Sequence, residues 1–198
     1  MIRNIIERSE NELLLGCGIL KKEVRFLIEK NGWNLDTLFL DSALHIDLQK
    51  LSSSLTGSLA KNSARNPRVF YGACHPQMDE FLNNAKTIRS KGQNCVEMLL
   101  GKKLFTEELS KGAFFLLEDW ALRWEYIITK TFGTNWEITK DIFRGDRKYL
   151  LCLRTPCSGN FENQALKAGD MVGLQVKWMD VTLDNLEKIL MNTINEKR

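Results

Sequence analysis

Residues 13–20, Leu-Leu-Leu-Gly-Cys-Gly-Ile-Leu, restrict what this chain can become more than any other stretch. Three leucines make a short apolar run of the kind a fully buried strand shows, although such a run alone is also compatible with helix. Gly16 and Gly18 punctuate it, and the following segment from Lys21 to Lys30 carries Val24, Leu27 and Ile28 on one helical stripe. The unit reads as strand, tight glycine turn and helix, with Cys17 at the apex of the turn. In an open α/β sheet, ligands sit in the crevice outside the carboxyl ends of the strands. A thiol at that apex is therefore a ligand, a nucleophile or an accident.

The same alternation continues along the chain. Strands are predicted at 35–40, 68–71, 113–117, 148–153 and 173–178, with a short extended segment at 87–90. Helices are predicted at 47–60, 78–85, 95–100, 105–110, from Trp120 to Phe132, 136–143, 160–168 and from Thr182 to the C-terminus. Asn94 and Thr182 read as N-caps. Strands alternating with helices predict an α/β fold, a mainly parallel sheet with helices on both faces, Rossmann-like and doubly wound. At 198 residues the chain is read as a single α/β domain, 1–198, or two merged Rossmann-like halves of about 1–110 and 111–198.

The balance of 28 basic against 25 acidic residues is spread along the sequence, without the concentrated basic face or reader motif that nucleic-acid binding needs. No apolar run approaches the ~18 residues of a membrane span. Residues 1–8 carry charges where a signal peptide would need its apolar core, so the expected location is cytoplasmic. Five cysteines is an odd number for a disulfide framework, and in a reducing compartment thiols at special positions point to metal or catalysis.

Cys17, Cys74 and Cys157 each fall just past a predicted strand, and Cys95 in a loop before a helix, all flanked by glycine or proline. Cys152 lies inside a strand, where it behaves as a small hydrophobe. Packing is the plain reading of any one of these thiols; parallel topology gathers the four loops at one edge and suggests a shared metal or cluster site. The absence of C-x-x-C disfavours a zinc ribbon and the common ferredoxin runs. Soft thiolates select an iron–sulfur cluster first and zinc second. His45 and His75, the only histidines, fall in the same set of loops, and His75, beside Cys74, is the stronger candidate ligand.

Gly16-Cys17-Gly18 superficially matches the opening of a dinucleotide fingerprint, but Lys21 stands where the third glycine belongs. Glu118 and Asp119 follow the strand at 113–117 and face the cleft, or serve as first-turn acids of the next helix. Trp120 and Trp124 form a stripe that is core, or one wall of a pocket for a flat cofactor. A Cys–His hydrolase pairing Cys74 or Cys17 with His45 is a further option.

Taken together, four landmarks resemble the family catalogued as domain of unknown function 1638: Gly16-Cys17-Gly18-Ile19-Leu20 before a helix, Leu44-His45, Gly72-Ala73-Cys74, and Asn94-Cys95 followed by Leu99-Leu100-Gly101. The resemblance covers the first half to two thirds of the chain and implies site roles for Cys17, His45, Cys74 and Cys95. The sequence departs from the family pattern at His75, which replaces a glycine, and at Gln93-Asn94, which stand where His-Asp would precede Cys95. Cys157 lies outside the pattern. The resemblance also implies a setting beside corrinoid-dependent methyltransferases in anaerobic one-carbon metabolism, with a corrinoid protein or methyltransferase as partner.

The expectation is thus a metal- or metallocofactor-binding protein. Cys17, Cys74 and Cys95 are its ligands, Cys157 or His75 the fourth, and Gly16, Gly18, His45, Asp119 and Trp120 line the cofactor site. The alternatives are a metal-free module binding a corrinoid or other flat cofactor, and a transferase or hydrolase with one nucleophilic cysteine.

Overall fold

The computed structural model describes residues 12–196, so the N-terminal residues read against a signal peptide lie outside the described residues. The strands are β1 (Glu12–Cys17), β2 (Leu35–Leu40), β3 (Arg68–Phe70), β4 (Ala113–Leu116), β5 (Tyr149–Arg154) and β6 (Gln175–Asp180). The helices are α1 (Lys21–Asn31), α2 (Leu48–Lys61), α3 (Met78–Asn84), α4 (Cys95–Leu100), α5 (Lys102–Ser110), α6 (Glu118–Ala121), α7 (Trp124–Phe132), α8 (Trp136–Asp146), α9 (Glu162–Val172) and α10 (Asp184–Asn195). All strand pairs are parallel, and they sort into two three-stranded sheets, ordered β2-β1-β3 and β4-β5-β6. The α/β class with parallel pairing is as the alternation predicts.

Strand periodicity explains how the layers stack. On β1, Leu14 faces a core shared by both sheets, together with Val24 and Leu27 of α1, Met98 and Leu99 of α4, Leu151 and Leu153 of β5, and Leu186 and Leu190 of α10. Leu15 and Cys17 face the other way, onto Leu51, Leu55 and Leu59 of α2 and Met78 and Leu82 of α3. On β5, Leu150 and Cys152 pack against Trp124, Phe143 and Ala165 on the far side of the second sheet. Both faces of β1 and β5 are therefore covered, which is why their sequences read as continuous apolar runs rather than alternations. Each fully buried leucine contributes about 1.5–3 kcal/mol.

Local signals set most boundaries. The Asp47 and Asn94 side chains accept the backbone N–H of Lys50 and Glu97, capping α2 and α4. Two predictions need correction. The helix from Trp120 to Phe132 is interrupted at Leu122–Arg123, separating α6 from α7. Arg123 there bridges Asp41, Ser42 and Asp119, contacts that no helical periodicity encodes. At the C-terminal helix the N-cap is Leu183; the Thr182 hydroxyl donates to the Asp184 carboxylate instead of capping. The segment at 87–90 makes a single parallel bridge, Val69 with Arg89.

Candidate functional site

Close backbone approach at two glycines gathers the thiols. A Cβ on Gly18 would lie 2.8 Å from the Leu40 carbonyl oxygen, so the turn after Cys17 presses onto the end of β2 and the loop that carries His45. A Cβ on Gly72 would lie 2.4 Å from the Gln93 carbonyl oxygen and 2.6 Å from Asn94 Cα. The loop carrying Cys74 is thereby held against the residues that precede Cys95. Gly16 is packed less tightly, with the Phe70 Cβ 3.2 Å from its would-be Cβ. Cys17 and Tyr71 belong to one buried cluster on which Cys74 packs.

The thiols feel one another. Burial pushes Cys17 up to about 12, and charge on Cys74, Asp119 or Asp41 would push it higher. Burial likewise raises Cys74. Cys95 is raised well above the ordinary thiol value, first by burial and then by charge on Cys17 and Cys74. Without a compensating cation all three are neutral near pH 7. This argues against a cysteine nucleophile, because the attacking species is the thiolate and reactive thiols have lowered values. Tyr71, 2% exposed, sits among the same three groups, and its buried hydroxyl has no hydrogen-bond partner among the described residues.

A cavity of about 320 Å³ adjoins the cluster. Cys17, Cys95, Asn94, Ser42 and His45 line it, together with the apolar side chains of α5 and β4, Trp120 and Arg147. The rings of His45 and Trp120 meet edge-on, 6.1 Å between centroids. Burial lowers the His45 pKa, so its imidazole is neutral at pH 7. Asp119 closes a polar junction beside the cavity: it accepts from Ser42 and Arg123 and pairs with Lys21 at 3.6 Å.

Other predicted positions lie apart. Cys157 belongs to a different network, in which its N–H donates to Thr155 Oγ1 and the Thr155 hydroxyl donates to buried Glu23 at 2.7 Å. The charges acting on Cys157 are those of Glu23 and Lys22. His75, although beside Cys74, turns its Nδ1 to accept the Gln77 N–H and packs on Phe81 at 4.9 Å. Cys152 is fully buried in the second sheet, as its strand position predicts. Among the described residues no group of three or more His, Cys, Asp or Glu side chains is spaced to hold a metal ion. Sequence reasoning passed over Tyr71, Ser42, Arg123 and Arg147. Tyr71 closed a predicted strand and carried no motif; Ser42 and Arg123 act through tertiary contacts, and Arg147 lines the cavity while its side chain bonds, among the described residues, only to neighbouring Asp146.

A family model described as protein of unknown function, DUF1638, matches residues 39–190, most of the chain. The chain belongs to the DUF1638 family. Within the DUF1638 match lie His45, Cys74, His75, Cys95 and Cys157, whereas Gly16, Cys17 and Gly18 precede it. No curated protein and no solved structure matches.

The donor chemistry fits a soft centre, since the Cys17 and Cys95 thiols line a cavity whose wall contains no carboxylate and Cys74 packs on the cluster that holds Cys17. The spacing does not fit a single ion. Zinc bound at about 2.3 Å by thiolates draws their sulfurs within about 4 Å of one another. A polynuclear cluster holds its thiolates on a wider frame than a single ion does.

Proposed function

We propose that the protein holds an iron–sulfur cluster on Cys17, Cys74 and Cys95 and delivers electrons to a corrinoid protein. The convergence of these three thiols at one end of the first sheet carries the reading. A cluster held by three thiolates supplies one-electron transfer and one iron without a cysteine ligand. The chain's own contribution is a largely apolar setting, with the Tyr71 hydroxyl, unpartnered among the described residues, available to donate a hydrogen bond to sulfur, which raises a cluster's potential. A corrinoid needs its cobalt in the most reduced state to accept a methyl group, so an electron donor fits the setting that the family resemblance implies. A whole corrinoid is larger than the 320 Å³ cavity, which favours a corrinoid-carrying partner over a corrinoid bound inside.

Anaerobic purification followed by iron and sulfide analysis and an absorption spectrum tests this. The wild type is expected to carry about four irons with matching sulfide. Cys17→Ser, Cys74→Ser and Cys95→Ser should each lose most of it, while Cys157→Ser and Cys152→Ala retain it. Iron-free wild type, or equal iron in all five variants, overturns the assignment.

A further inference from the structure

We infer that the cavity beside Cys17 and Cys95 is a binding site for a small, mostly apolar carboxylate whose charged end is met by Arg147. This inference goes beyond the cluster reading and does not require it. Exposure orients the cavity. Cys17 is buried at its floor, whereas Leu109 on α5 is exposed and Arg147 is half-exposed, which places them at its mouth. Phe105, Phe115 and Trp120 give the wall its apolar, aromatic character, with Phe105 and Phe115 stacked at 5.3 Å. A volume of about 320 Å³ lies at the small end of ligand pockets.

Charge decides the class of the polar end. The lining contains no Asp or Glu. Arg147 is the one Lys or Arg in the lining, so it supplies the fixed positive charge of the cavity wall. Its Nη1 is engaged by neighbouring Asp146, through the backbone carbonyl at 3.1 Å and the carboxylate at 3.0 Å. That carboxylate belongs to an exposed side chain, so its screening of the guanidinium is weak. Nη2 and Nε make no hydrogen bond to the described residues, which leaves one edge of the guanidinium for a two-pronged contact with a carboxylate. Cationic ligands meet the same guanidinium as repulsion, with no acid on the wall to offset it.

Calorimetric titration with phenylacetate, phenylacetamide and phenethylamine, one apolar body with three charges, tests the inference on purified full-length protein. Phenylacetate is expected to bind with a Kd on the order of a millimolar or tighter. The amide should bind at least tenfold more weakly, and the amine not at all. Arg147→Gln should erase the preference of acid over amide while leaving amide binding intact. Leu109→Trp, at the exposed mouth, should weaken both probes with an unchanged circular dichroism spectrum. Equal affinity for acid and amide, a preference that survives Arg147→Gln, or no saturable binding of any probe overturns the inference. Metal content, measured on the same samples, is read separately and decides only the cluster reading.

Discussion

An alanine at position 72 would place its Cβ 2.4 Å from the Gln93 carbonyl oxygen and 2.6 Å from Asn94 Cα, and neither backbone atom can yield as a side-chain tip would. Gly72→Ala should therefore destabilise by about 2 kcal/mol, the ordinary cost of overpacking, and should separate Cys74 from Cys95. Gly57, inside α2, has nothing within 4 Å of its would-be Cβ. Gly57→Ala should stabilise by about 0.5–1 kcal/mol, because alanine loses less backbone entropy in a helix. Urea denaturation of the two variants checks both signs; destabilisation of the same size in both would show that helix context, not close approach, sets the cost. The sequence puts Gly57 inside a predicted helix and Gly72 in a loop; that only Gly72 of the two meets backbone is decided by a segment about twenty residues away.

Glu23 joins α1 of the first half to the turn after β5 in the second, accepting from the Thr155 hydroxyl. It is 5% exposed, and burial raises its carboxyl above the ordinary value, while the Thr155 hydrogen bond opposes that shift. A folded-state pKa above the unfolded value means that the native state holds the proton more tightly. Stability is then lost as pH rises from the unfolded value through the folded one. Glu23→Gln keeps an acceptor for Thr155 and removes the titration. Its stability relative to wild type should climb as pH rises above the ordinary glutamate range of about 4.3, measured by urea denaturation at each pH. A difference that does not vary with pH would mean that Glu23 titrates alike in both states. The helix split at Leu122–Arg123 belongs to the same kind of tie. The apolar stripe through Trp124, Ile127 and Ile128 is legible in sequence, but the interruption ahead of it follows from Arg123 reaching Asp41 on the first half.

Across the whole molecule, the shared core makes the two sheets depend on one another. Leu27 is fully buried there with Leu151, Leu153 and Leu186 from the second half. Leu27→Ala should cost about 2–5 kcal/mol. Four of the five tryptophans, Trp120, Trp124, Trp136 and Trp178, lie in the second half. Their fluorescence transition should shift together with the far-ultraviolet circular dichroism transition, as one cooperative unit requires; transitions that separate would show that the halves unfold independently. No helix among the described residues is long and apolar enough to cross a membrane. Much of this architecture was already determined by the order of residues. Strand-length apolar runs alternating with helical stripes demand a parallel α/β fold, and breakers around Cys17, Cys74 and Cys95 put those thiols at the ends of elements. Only the tertiary structure decided which loops meet. It left Cys157 with Glu23, turned His75 to its own backbone, sorted the strands into two sheets, and placed Tyr71 and Arg147 at a site they share no motif with. The reason is physical: periodicity and turn chemistry act over a few residues, whereas close packing at Gly18 and Gly72 and the neutralising of buried groups depend on neighbours distant in sequence.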